Sequence, residues 1–236
     1  AFILHGFLSY CAYRHILRNA RQITEEQEPQ LFSLLNTLAR KTGISLPLVY
    51  LLPQNSIQVF TCGTLRPVLA ISPMLLSELP AKELEAVLAN EVAHLARRDQ
   101  ITSWIVSLIS TLMFYNPFLY PLLKRIGHER EKAADALAVT LTHNPRALAQ
   151  SLLRVMKLAG KNNSTPAFFN LPVLKLTGGD ALCERVKILL ADTSIIDESG
   201  GSTGPLVFLF LSITAISNIL VLLPLFHNSA CVMMLY

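Results

Sequence analysis

The chain has 236 residues, 52% hydrophobic and 15% charged, with a formal net charge of +4 and a mean hydropathy of +0.44. Soluble domains carry about 25% charged residues, so the composition excludes disorder and collagen-like structure and indicates a protein partly dissolved in lipid. Too few charges remain to coat a phosphate backbone, which argues against a nucleic-acid partner. Cys11, Cys62, Cys183 and Cys231 lack the spacing of a disulfide framework or a thiolate zinc site.

In chain order, residues 1–13 are apolar and stop at Arg14, Arg18 and Arg21. Too short to span alone, they read as the end of a truncated transmembrane helix. Residues 29–43 repeat apolar side chains at helical spacing, with a basic last turn and Gly43 where a C-terminal cap belongs. Residues 46–52, 57–62 and 67–72 are short and rich in Val, Ile, Leu and Phe, and predict strands. Pro80 opens a predicted helix to about Arg98.

The apolar run 101–123 has Arg97 and Arg98 before it and Lys124 and Arg125 after it. Basic flanks on both sides fit poorly with one crossing, and Pro117 and Pro121 interrupt a helix, so a re-entrant or interfacial hairpin is expected. Trp104 and the aromatics at 114–120 read as interface anchors. Further helices are predicted at 127–143, 146–159 and 180–191, with loops at 160–178 and 192–204. Residues 205–226 run 22 positions without a charge and predict a transmembrane helix. The arginines after the first segment place residues 14–204 on the cytoplasmic side and the tail 227–236 outside. The fold class is therefore α+β: a mostly helical body with a small sheet, flanked by transmembrane helices.

Two motifs carry chemistry. Asn90-Glu91-Val92-Ala93-His94 is H-E-x-x-H with its first His replaced; in the full motif two imidazoles one turn apart bind zinc and the Glu activates water. Glu131 and Asp135 lie one turn apart on the next helix and face one neighbour. On spacing alone an ordinary polar helix face is the favoured reading of each motif.

Taken together, RPVLAISPMLLSELPAKELEAVLANEVAHLARRD, the following apolar stretch, HEREKAAD and CERVKILL resemble the integral-membrane zinc metallopeptidases of the BlaR/MecR type, gluzincins related to HtpX and the CAAX prenyl proteases. The resemblance covers roughly residues 28–192 and implies a membrane-bound, zinc-dependent metalloendopeptidase that cleaves a protein substrate near the cytoplasmic face of a bacterial inner membrane. By it, Glu91 is the catalytic base, His94 and Glu131 are metal ligands, Asn90 holds the place of the missing His, and Asp135 supports the ligands. The implied substrate lies as an added strand along a sheet edge, for which Ile57, Val59, Phe60 and Cys62 are the candidates; an internal strand is the ordinary alternative. Expected partners are a protein or peptide substrate and membrane lipid, with a regulatory protein or a second copy as further candidates.

Asn90 leaves three readings open. The chain is a natural pseudopeptidase serving as membrane sensor or scaffold, or an engineered knockout, or a site in which another group, His128, replaces the lost ligand. An amide oxygen is a weak donor for a borderline-soft ion, so loss of metal with the fold kept is favoured over a substitute ligand.

Overall fold

The computed structural model describes residues 18, 20–53, 57–63, 67–113, 116, 119–161 and 178–191. The segments expected at 1–13, 205–226 and 227–236 lie outside the described residues, as do nearly all of the loops expected at 160–178 and 192–204. No helix among the described residues is long and apolar enough to cross a membrane.

The first helix, α1 (Pro29–Thr42), buries Leu31, Phe32, Leu35, Leu38 and Ala39 on one face. It ends where Gly43 takes φ 69°, a left-handed turn that glycine adopts without a Cβ clash. There the amides of Gly43 and Ile44 satisfy the carbonyls of Arg40 and Ala39. Lys41 Nζ donates to the Leu141 carbonyl at 2.8 Å and ties this end to a segment 100 residues further along the chain.

Four strands, β1 (Arg21–Gln22), β2 (Leu48–Leu51), β3 (Val59–Cys62) and β4 (Val68–Ile71), form a sheet in the order β1-β2-β4-β3. β2 and β4 run parallel, whereas β1 and β3 are antiparallel to their neighbours. β4 is buried throughout, as a central strand covered on both faces should be. β3 stands at one end of the sheet.

Ser72 caps the short helix α2 (Pro73–Glu78) by accepting from the Leu75 amide. Because Ser72 is fully buried, Ser72→Ala is expected to lower stability by about 1 kcal/mol, read as a fall in the denaturation midpoint. The central helix, α3 (Ala81–Ala96), touches α1, β3 and two later helices, α5 (Leu119–Thr142) and α6 (Pro145–Lys161). Its buried Ala86, Ala89 and Ala93, and Ala134 and Ala138 of α5, carry little side-chain bulk and let the two backbones approach.

The helix opened by Pro80 stops at Ala96, because Arg98 turns left-handed at φ 55° and a new helix, α4 (Asp99–Leu112), begins. The described part of the 101–123 run is divided between α4 and the start of α5, which share a small apolar cluster of Val106, Leu119 and Leu123. Pro121 does not interrupt α5, which begins at Leu119 rather than 127; in the first turn the missing proline N–H has no intrahelical partner to lose. Asn144 both follows α5 and caps α6, accepting from the Ala147 amide at 3.0 Å. The last helix, α7 (Gly178–Leu190), docks Leu182 and Val186 on Ala149 and Leu152 of α6.

Candidate metal centre and its charge network

The middle of α3 is apolar on nearly every side, yet it carries Asn90 and Glu91, which are 1% and 4% exposed. Asn90 and His94 stand one turn apart, so their side chains lie over one another on one face. From α5, Glu131 comes toward that face: His94 Nε2 is 3.8 Å from Glu131 Oε2, too long for a hydrogen bond.

The His94 ring is oriented from behind. Its Nδ1 lies 2.7 Å from Asp99 Oδ2, and a carboxylate acceptor at Nδ1 leaves the Nε2 lone pair of the neutral ring facing Glu131. Asp99 reaches this position because the left-handed Arg98 folds the start of α4 back beside the end of α3. Burial disfavours the charged ring, but the Asp99 hydrogen bond and the charges of Glu131 and Glu91 outweigh it and raise the His94 pKa above its ordinary value.

Thr61 of β3 neighbours Glu91 and favours its charged form, and Thr61 Oγ1 accepts from Gln100 Nε2 at 3.1 Å. Burial pushes the Glu91 carboxyl up to about 7, helped by the charge of Glu131 and opposed by His94, Thr61 and Arg185. A carboxyl that titrates near neutrality can both take and return a proton.

A buried cation completes the cluster. Arg185 of α7, 5% exposed, donates from Nε and Nη2 to the two Asp135 oxygens at 2.7 and 2.6 Å and from Nη1 to Glu131 Oε2 at 3.0 Å. Arg130 Nη2 contacts the other Glu131 oxygen at 3.3 Å, and its Nη1 donates to Ser103 of α4. Burial raises the Asp135 pKa despite Arg185. Both oxygens of Glu131 are therefore held by guanidinium groups.

The geometry brings together Asn90, Glu91, His94, Glu131 and Asp135. His128 stands elsewhere on α5, with Nδ1 3.8 Å from Glu184 in a partly exposed group that includes Lys132. Val59, Phe60 and Cys62 lie in β3, and Ile57, fully buried, precedes it. The Cys62 thiol is pushed up to about 12 by burial and by the charge of Glu91, so it is not a nucleophile near neutrality.

Three residues of the site escape the motif pattern. Arg185 left one signal, a lone cation in the apolar stripe Leu182, Val186 and Leu189. Asp99 and Thr61 left none, since only the fold brings them to His94 and Glu91.

The donor set does not fit a complete zinc site. The 3.8 Å between His94 Nε2 and Glu131 Oε2 is within the sum, about 4 Å, of one zinc–nitrogen and one zinc–oxygen bond, so two donors converge. At the third position Asn90 offers Oδ1 and Nδ2, both buried and without a hydrogen-bond partner. Among the described residues no three His, Cys, Asp or Glu side chains are grouped to hold a metal ion.

The chain is similar to the Protease HtpX homolog of Trichormus variabilis, 29% identical over 202 residues, covering 69% of this chain and 70% of the relative. It is also similar to the Protease HtpX homolog of Acaryochloris marina, 30% identical over 192 residues, with 66% of each covered. The chain thus spans about two thirds of the length of these relatives. The family described as BlaR1 peptidase M56 matches residues 2–189, and with most of its length matched the chain belongs to the peptidase M56 family.

Proposed function

We propose that this chain is a membrane metalloendopeptidase of the HtpX/BlaR type whose zinc site is impaired by Asn90, acting on a protein substrate at the cytoplasmic face of the membrane. The observation that carries the reading is the Asn90 amide. It lies one residue before the buried Glu91 and one turn before His94, with both polar atoms buried and unpartnered. Leaving a buried amide unsatisfied costs about 1–3 kcal/mol, so the position suits a group that something else should contact.

The chain's own residues retain the rest of the machinery. Glu91 is placed to move a proton near neutrality, Asp99 orients His94, and Arg185 holds Glu131 and Asp135. β3, at the end of the sheet and linked to Glu91 through Thr61, is the proposed edge on which an extended substrate adds as a further strand.

The test is Asn90→His. In the unaltered chain, elemental analysis should find zinc well below one per chain; in the variant it should approach one. Cleavage of β-casein should appear with Asn90→His and vanish when Glu91→Gln is added. Stoichiometric zinc in the unaltered chain would overturn the impairment. Zinc without cleavage in the Asn90→His variant would favour a scaffold, a reading supported by one further observation: the arginines on Glu131 offset its charge without an ion.

A further inference from the structure

Where β3 runs out toward β4, a cleft of about 260 Å³ opens between the end of α1, Gly63, Pro67, and the junction of α3 with α4. Ile44, Pro67 and Leu95 give it apolar walls, and Arg98 and Gln100 line it as well. The volume suits one side chain rather than a cofactor. Gln100 is the residue that donates to Thr61, and Thr61 neighbours Glu91, so the cleft adjoins the proposed reaction centre. Gly63 lies two residues beyond Thr61, about 7 Å along an extended chain.

Arg98 is the informative residue. Its neighbour Arg97 contacts Asp99 at 3.4 Å, but the Arg98 guanidinium has no hydrogen bond or ion pair among the described residues. Its backbone is held at φ 55° and ψ 37°, pinned by the Arg98 amide on the Leu95 carbonyl and the Ile101 amide on the Arg98 carbonyl, each at 3.0 Å. Glycine would sit there unstrained, whereas arginine is held at a cost of order 1 kcal/mol. Arg98 is exposed, so a guanidinium with no partner among the described residues, on a strained backbone beside a cleft of side-chain size, is free to take an anionic group from outside.

The geometry points to a substrate subsite for an acidic residue, aspartate or glutamate, held by Arg98 about two residues along the substrate strand from the bond opposite Glu91. The subsite rests on the edge-strand reading of β3 and gives it a sequence preference. It needs no metal, so it is testable by binding alone.

The probe is a set of end-blocked, fluorescein-labelled dodecapeptides with a Val/Thr/Ala background, in which one glutamate, or one lysine, is walked through every position. Their binding to the full chain in detergent is followed by anisotropy. One glutamate position should bind about fivefold more tightly than alanine, the range of a partly exposed ion pair. Arg98→Gln should erase that preference and Arg98→Glu should transfer it to lysine, with thermal melting unchanged. Peptides that bind without an acidic preference, or with one indifferent to residue 98, overturn the subsite and leave the edge strand standing. No binding by any peptide overturns both. If Arg98→Glu alters only attachment to phosphatidylglycerol vesicles, the arginine serves lipid headgroups and the subsite is overturned.

Discussion

Arg185→Met is expected to destabilise the protein by about 3–5 kcal/mol, the usual cost of removing one member of a buried ion pair. The methionine fills much of the same volume, so the loss comes from charge rather than from a cavity. Asp135 loses two hydrogen bonds at 2.7 and 2.6 Å, and Glu131 loses one at 3.0 Å, while both remain buried. Arg185→Lys should recover only part of the loss, because a point cation cannot make the two-pronged contact to Asp135. Melting curves of the three proteins in one detergent give the comparison. A methionine variant that melts with the parent would show that the cluster does not depend on this cation.

Glu91→Gln is expected to be stabilising at pH 8 and much less so at pH 5. The native Glu91 carboxyl titrates at about 7 against an ordinary value of 4.5. Below pH 4.5 both states are protonated and the group contributes nothing. Between 4.5 and about 7 the unfolded chain gives up a proton that the native protein keeps, so stability falls as pH rises, and it levels off above 7. His94, also raised above its ordinary 6.5, adds a loss of the same sign as pH rises through its folded value. Glutamine keeps the shape and removes the Glu91 component, so the melting temperature of the variant should gain several degrees on the parent between pH 5 and pH 8. A parent-to-variant difference that stays flat over this range would mean that Glu91 is ionised throughout.

The local features of the fold were readable in advance. Pro29, the apolar period and Gly43 mark α1 within a residue, and the three strands appear inside their predicted runs because each is short, β-branched and punctuated. Errors fall where a boundary depends on one backbone angle or on what surrounds a proline. The helix expected to end at about Arg98 ends at Ala96, and nothing in Arg97-Arg98-Asp99 announces that its middle residue turns left-handed and starts the next helix at once. Pro121 reads as a breaker until the helix is seen to start two residues earlier. The two-residue β1 is too short to have a pattern and exists only through its pairing with Leu51 and Tyr50. α2 shows the same dependence on context, since its Ser72 cap signal is hidden among strand residues.

The candidate site divides along the same line. Glu91, His94, Glu131 and Asp135 are legible because helical spacing places them in pairs on single faces. The residues that set their chemistry come from elsewhere: Asp99 from a new helix, Thr61 from the sheet, and Arg185 from a helix 50 residues beyond Asp135. Long-range pairing of this kind leaves no periodic trace, and only the burial of a cation in an apolar stripe hints at it.

That separation has a consequence for biosynthesis. Ribosomes add about 5–20 residues per second, so Arg185 is made roughly 2.5–10 s after Asp135. During that interval α3 and α5 exist with Glu91, Glu131 and Asp135 but without the guanidinium that pairs two of them. Until α7 arrives these carboxylates have no Arg185 to pair with, so the order of synthesis sets the earliest moment at which the cluster can be completed.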